Sequence, residues 1–270
     1  MSNQLLNFEN VEPALLGLND PPPFEIINRD GAAQLLLVCD HASRRVPEKL
    51  GDLGLAKTEY NRHIAYDIGA EAVTRILSEN LDAPAVLAGY SRLVLDVNRS
   101  PGHPESIPEI SDRTVIPANQ NLSEADKDGR ISELHDPYHE AVGHTMAHIW
   151  NRGPAPALFS VHSFTPNFGN ENRPWDVAIL WKRDPRIAVP MMEMFRARGM
   201  NVGDNVPYSA LDVAYTIDVH ASAAGLATCV LEIRQDQLAD DEGIERWARI
   251  LTEDLGKIMT NDGLYEQKEY

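Results

Sequence analysis

Hydrophobic positions along this chain fall into short continuous runs, separated by longer stretches with helical spacing. The first run lies in QLLLVCDHASRRVPEKL. It is apolar from Leu35 to Cys39, as in a strand buried on both faces, with the strand taken from Gln34. Val46 to Leu55 reads as a loop or short helical turn. Thr58 then opens a helix through Leu81, with Ile64, Ile68, Ala72, Ile76 and Leu77 at helical spacing and Thr58 as cap. Ala85–Ala88 is a second buried strand and Leu93–Val97 a third. Residues 98–122 carry Pro, Asn and Ser without periodicity. A structureless stretch of that length in a compact domain points to a lid or binding loop. Ser123 with Asp126 starts a long helical region that runs through Pro137 to Trp150.

Four further runs follow. Ala157–Val161 is a strand that delivers His162, and Val177–Trp181 is another. Ala188–Arg198 is an amphipathic helix stopped by Gly199, and Tyr215–Val219 reads as a short strand. Ala227–Arg234 is a buried strand and Asp240–Ile258 the closing helix, followed by a polar tail. Strands that are apolar throughout and alternate with helices predict a mainly parallel sheet with helices on both faces. Residues 1–30 are expected to form an N-terminal arm, with one short edge strand, and 31–270 a single domain.

Composition narrows the choice of partner. The 270 residues carry a formal net charge of −17, which argues against nucleic acid or an anionic membrane surface. A small anionic substrate remains compatible, since a few arginines make a locally positive pocket. The two cysteines, Cys39 and Cys229, both sit in apolar runs, which fits a reducing cytoplasm and no disulfide framework. No basic segment followed by a long apolar core marks a signal peptide, and no apolar run approaches the roughly 20 residues of a membrane span. A cytoplasmic protein is the expectation, and oligomeric state is not legible.

Candidate chemistry gathers where strands end, the crevice in which α/β proteins place their sites. Asp40 and His41 stand at the end of the first strand and His162 at the end of another, so two imidazoles are expected at one crevice, where they suit a divalent metal. The competing reading makes Asp40 a turn cap and both histidines ordinary loop or core residues. Asn98 and Arg99 follow the Leu93–Val97 run and Arg92 precedes it; an arginine fork with an asparagine suits a carboxylate. Asp96 otherwise pairs with an arginine. Glu232 interrupts a buried strand, where a carboxylate needs a partner or a function. It is read as a general base, or as a salt-bridge partner of Arg234. In HDPYHEAVGHTMAHI, His135 and His139 are four apart, as are His144 and His148, but His139-Glu140 followed by His144 is one residue too long for a His-Glu-x-x-His zinc motif. They read as a solvated face, from which His139 is the one candidate to reach the site.

The motifs CDHAS, HIAYDIGA, SRLVLDVNR, SVHSF and LEIRQD, in that order, together resemble the N-formylglutamate amidohydrolase family over about residues 34–255. That family is similar to the zinc carboxypeptidases and aspartoacylase. The resemblance implies a zinc-carboxypeptidase-like (phosphorylase/hydrolase-like) α/β fold, a mixed, mostly parallel sheet of about eight strands sandwiched between helices, and a metal-dependent amidohydrolase. Its substrate would be N-formyl-L-glutamate or a similar N-acyl amino acid, cleaved to formate and glutamate as in the last step of histidine breakdown. It further implies zinc on His41, His162 and an acid, an Asn98–Arg99 pair for the substrate carboxylate, and Glu232 as base. Arg44 stands where the carboxypeptidases place a ligand glutamate. The acid is therefore sought at Asp67, on the helix after the first strand, with Glu48 and Asp40 as the other candidates; Asp67 otherwise pairs with Arg92 or His63. Arg92, Arg44 and Arg234 are the expected helpers for a second carboxylate, and His220 is expected to polarise the carbonyl or bind substrate. The alternatives are a hydrolase of another N-acyl amino acid or short peptide, and a metal-free binding protein for acidic amino acids.

Overall fold

The computed structural model describes residues 15–270, apart from the side chain at 212. The first fourteen residues of the expected N-terminal arm lie outside it. The strands of the main sheet are β1 (Phe24–Ile27), β2 (Leu35–Cys39), β3 (Ala85–Ala88), β4 (Ala157–Phe164), β5 (Val177–Leu180), β6 (Val202–Asp204) and β7 (Thr228–Arg234). Their order is β1-β3-β2-β4-β7-β5-β6. The inner four, β3, β2, β4 and β7, run parallel; β1 and β5 are antiparallel to their inner neighbours, and β6 follows β5. The sheet is mixed and mostly parallel, and its parallel inner strands are the ones that read as continuous apolar runs. The expected edge strand of the arm is β1.

Side-chain alternation divides the core in two. Leu35, Leu37, Cys39, Phe159, Val161, Leu231 and Ile233 face one helical layer, made of α1 (Ala70–Asn80), α4 (Pro185–Ala197) and α6 (Asp241–Ile258). Leu36, Val38, Leu158 and Val230 face the other, made of α3 (Asp136–Trp150), α5 (Tyr215–His220) and the loops around residue 95. α2 (Glu124–Arg130) precedes α3 and carries the expected capping box between Ser123 and Asp126. Among the described residues no helix is long and apolar enough to cross a membrane.

The register aligns the chemistry. Val38 and Val230 both pair with Ser160, and Glu232 pairs with His162. Asp40, His162 and Glu232 therefore stand in one row on the α3 face, at the carboxyl ends of β2, β4 and β7. The sheet is built outward from β2 in both directions, so this row lies at its switch point.

Four expected elements differ. The helix expected from Thr58 starts only at Ala70. Lys57–Asn61 is a 3-10 turn, and the Asp67 N–H donates to the His41 carbonyl at 3.0 Å, which holds Asp67 in a loop beside the strand end rather than on a helix. Gly69, with φ of 80°, then turns the chain into α1. The Leu93–Val97 strand is instead a buried turn. The N–H groups of Leu93 and Val94 donate to Ser91, and that of Asn98 to the Asp96 carboxylate, so local side-chain bonds replace a ladder. The Tyr215–Val219 segment is α5; Ala214, Ile217 and Ala221 are buried at helical spacing. β4 continues two residues past His162, which lies inside the strand. The region through Pro137 is helical as expected, but Ile131–His135 widens to a π-turn, because Pro137 has no N–H for the Glu133 carbonyl.

A Cβ on Gly69 would meet the Leu238 Cβ at 2.5 Å, in a left-handed conformation that itself disfavours L side chains. Gly69→Ala is expected to lose about 2–4 kcal/mol in a urea unfolding titration. A loss below about 0.5 kcal/mol would contradict the role given to this turn.

Candidate active site

A cleft of about 330 Å³ opens over the row of strand ends, lined by His41, Asp67, Arg92, Asp96, Asn98, Arg99, His162 and Glu232 among others. Of the ten site residues expected from the sequence, seven meet there. Three do not. Arg44 is exposed, bonded to Asn61 and stacked 5.4 Å above the Tyr66 ring. Arg234 shares the Glu232 side of β7, but at the strand end it is drawn to Asp236 at 2.8 Å and to the carbonyls of Pro174 and Trp175. It does not pair with Glu232. His220, on α5, bonds His139 at 2.9 Å instead of facing the cleft. Glu48 is exposed, away from the cluster.

At the centre, one oxygen of the Asp67 carboxylate, Oδ2, lies 3.3 Å from His41 Nδ1 and 2.8 Å from His162 Nδ1. These three donor atoms lie within 4.8 Å of one another, and all three residues are buried. The opposite ring nitrogens face carboxylates as well: His41 Nε2 is 2.7 Å from Asp96 and His162 Nε2 is 2.9 Å from Asp40. An imidazole whose Nε2–H is given to a carboxylate presents a bare Nδ1, the arrangement in which metal-binding histidines are held. Asp40 is fixed in turn by the hydroxyls of Tyr138 at 2.8 Å, Thr216 at 2.7 Å and Ser160 at 3.1 Å. Arg92 donates to Asp96 at 2.7 Å and lies 3.6 Å from Asp67. Both bland readings of these aspartates are thus present, yet they belong to the same cluster.

Electrostatics follow from this packing. Burial resists ionisation of Asp40, but the His162 bond and the charges of both imidazoles hold it at about 2. Asp67 and Asp96 are likewise lowered: burial again resists, and is outweighed chiefly by His41 and His162 for the first and by Arg92 and His41 for the second. Burial pushes both histidines down, with Arg92 adding to this at His41; the aspartates reverse it, so both titrate above the ordinary value. Two nitrogens and one carboxylate oxygen on buried side chains form a donor set that suits a divalent cation with room for water.

Glu232 is different. Burial raises its carboxyl to about 7, against the pull of His162, and among the described residues its Oε2 has no hydrogen-bond partner. It stands beside His162 across the β4–β7 pair, the position of a proton carrier next to the cluster.

The far wall is cationic. Arg99 engages Glu105 at 3.2 Å, but Glu105 is 68% exposed, and a pair of that kind contributes little. Asn98 is tied inward, donating to the Val213 carbonyl at 3.3 Å and accepting from the Thr216 N–H at 3.0 Å, so it chiefly holds the wall that carries Arg99. The stretch expected to be a lid does border the cleft, through Pro108, Ile110, Ser111 and Asp112, and contains a small hairpin of Ile110–Ser111 and Thr114–Val115. In the histidine-rich helix only His144 is exposed and His148 partly so. His135 is buried and His139 largely so; their Nε2 atoms face the carbonyls of Arg99 and Val97, so they brace the wall from behind.

The sequence reading did not nominate Tyr208, His63 and Phe168, which also line the cleft, nor Arg173 behind them. His63 comes from a segment whose spacing suits a helix, and Phe168, Tyr208 and Arg173 from stretches without periodicity, so no spacing signals their convergence.

A mixed α/β sheet with a buried His–Asp–His cluster, a perturbed carboxyl beside it and a cationic wall describes a hydrolase-type centre. The family model for N-formylglutamate amidohydrolase matches residues 33–239, and the chain belongs to that family: it is a hydrolase acting on amide bonds. The product of Atu2144 from Agrobacterium tumefaciens is similar in structure, with a TM-score of 0.88 and 34% identity over 91% of this chain and 98% of that one. N-formylglutamate amidohydrolase from Ralstonia eutropha JMP134 shares the fold at a TM-score of 0.67 and 20% identity, over 89% of this chain and 98% of that one. A comparison with curated protein sequences finds no match.

If Asp96 and Asp40 orient the imidazoles, Asp96→Asn and Asp40→Asn should each weaken metal retention by about 10–100-fold in a chelator competition. Unchanged retention in both variants would refute that role.

Proposed function

We propose that this enzyme hydrolyses the formyl amide of N-formyl-L-glutamate, or of a closely similar N-acyl amino acid, to formate and the free amino acid, using a divalent metal, zinc by preference. The observation that carries this reading is the convergence of His41 Nδ1 and His162 Nδ1 on Asp67, with Glu232 unpartnered beside them. Those three residues would hold the cation. When bound, it supplies Lewis acidity and lowers the pKa of a water towards about 7.

The chain's own groups do the rest. Asp96 and Asp40 keep the imidazoles aligned. Glu232 accepts the proton of the attacking water and passes it to the leaving nitrogen, so that the C–N bond breaks with an amine as product. A carboxyl near 7 is suited to both halves of that transfer. Arg99 binds the substrate's α-carboxylate by displacing Glu105, and Asn98 keeps that wall in place. Arg92 is committed to Asp96 and Asp67, so its part is to set the charge of the cluster.

Formate release from N-formylglutamate by the zinc-loaded chain is the direct test. Glu232→Gln is expected to lower kcat by about 10²–10⁴-fold with little change in KM; retention of full kcat would remove Glu232 from the role. His41→Ala and His162→Ala should each abolish stoichiometric metal in the purified protein. If both variants keep their metal, the site lies elsewhere. No hydrolysis of any N-formyl or N-acetyl amino acid by the metal-loaded chain would overturn the reading as a whole.

A further inference from the structure

Directly behind the aromatic wall of the cleft lies a second cation, whose charge no carboxylate among the described residues neutralises at hydrogen-bond distance. Arg173 follows a hairpin of Asn167–Phe168 and Glu171–Asn172, and it is 3% exposed. Its guanidinium carbon lies 4.7 Å from the centre of the Tyr208 ring and 4.9 Å from that of Phe168, and both rings line the cleft. Nη1 donates to the Tyr208 hydroxyl at 2.8 Å. Among the described residues Nε has no hydrogen-bond partner, and the carboxylate of exposed Glu171 is 3.9 Å away. The contrast with the other arginines around the cleft is plain. Arg92 is saturated by Asp96, and Arg62 donates to Asp112 and Glu59.

Burying a guanidinium without a paired anion is unfavourable unless a ligand completes it. Stacking on two aromatic faces offsets part of that penalty and holds the planar fork in place. The Tyr208 hydroxyl accepts from Arg173, which leaves its own hydrogen free to donate. Among the described residues it donates to none. Tyr208, on the cleft wall, and Arg173, stacked directly behind it, therefore hold an unfilled set of donors apart from Arg99.

Resting on the reading of this cleft as an N-acyl amino acid hydrolase, we propose that Arg173, with the Tyr208 hydroxyl, binds the side-chain carboxylate of the substrate and so selects N-acyl derivatives of acidic amino acids. Arg99 takes the α-carboxylate and Arg173 the distal one. The task the sequence assigned to Arg44 and Arg234 falls to a residue on a different loop. A neutral side chain, amide or alkyl, leaves the buried guanidinium unpaired and is rejected for that reason.

The test compares N-formylglutamate with its neutral isostere N-formylglutamine on the zinc-loaded chain, alongside equilibrium binding of glutarate and its monoamide. The wild type should favour the dicarboxylate by about 100-fold or more in kcat/KM and by about 10-fold or more in binding. Arg173→Gln should collapse both ratios to within about threefold, and Arg173→Lys should retain part of them. Persistence of the wild-type ratios in Arg173→Gln overturns the proposal, as does failure of the wild type to distinguish glutarate from its monoamide. If Arg173→Gln does not fold, Tyr208→Phe and Arg173→Lys decide the matter: wild-type ratios in both overturn the proposal. If the wild type turns over neither substrate, the catalytic reading falls, and the glutarate ratios still judge Arg173.

Discussion

The structure depends on a balance of charge at the end of β2. Asp40, Asp67 and Asp96 are buried together, with Arg92 as their permanent counter-charge. Three carboxylates against one guanidinium leave two negative charges. Two imidazolium protons, or one divalent cation with neutral imidazoles, neutralise them. The same cluster is thereby stable as a protonated network and suited to exchange its protons for a metal. Each connection in it is local: Asp67 is held by a backbone bond to His41, and Asp96 by a turn that also aims Arg92 and Asn98. Moving any of these segments would leave a buried charge without its partner, which is strongly unfavourable.

The sheet was legible because its inner strands are buried on both faces and read as uninterrupted apolar runs. What broke those runs, His162 and Glu232, marked the site, since a polar residue in such a strand stands out. The turn at 91–99 misled because Leu93, Val94, Leu95 and Val97 are as buried as strand residues, while Ser91 and Asp96 redirect the backbone. The segment after Thr58 misled for a related reason. Its spacing suits a helix, but tertiary contacts at Asp67 and the left-handed Gly69 break it. Asp67 was reachable from sequence only through the family resemblance, and its place in a loop was not.

Positive charge near the site was the least legible feature. Arg44 and Arg234 lie within three residues of His41 and Glu232 along the chain, but a turn and a strand end carry them to other partners. Arg173 is eleven residues beyond His162, and it is joined to the cleft through Tyr208, from a distant loop. Contacts of that kind depend on where two loops come together, which neither periodicity nor local spacing encodes. The cationic wall accordingly has two layers: an exposed, displaceable pair at Arg99 and Glu105, and a buried, aromatic-clasped guanidinium at Arg173.

The central claim is that the cluster of His41, Asp67 and His162 is the metal centre. Crystals of the zinc-loaded chain, measured at the zinc absorption edge, test it most directly. The account predicts one strong anomalous peak bounded by His41 Nδ1, His162 Nδ1 and Asp67, with Asp96 and Asp40 still bonded to the opposite ring nitrogens. A peak at His139 and His220 instead, or none at the strand ends, would contradict it.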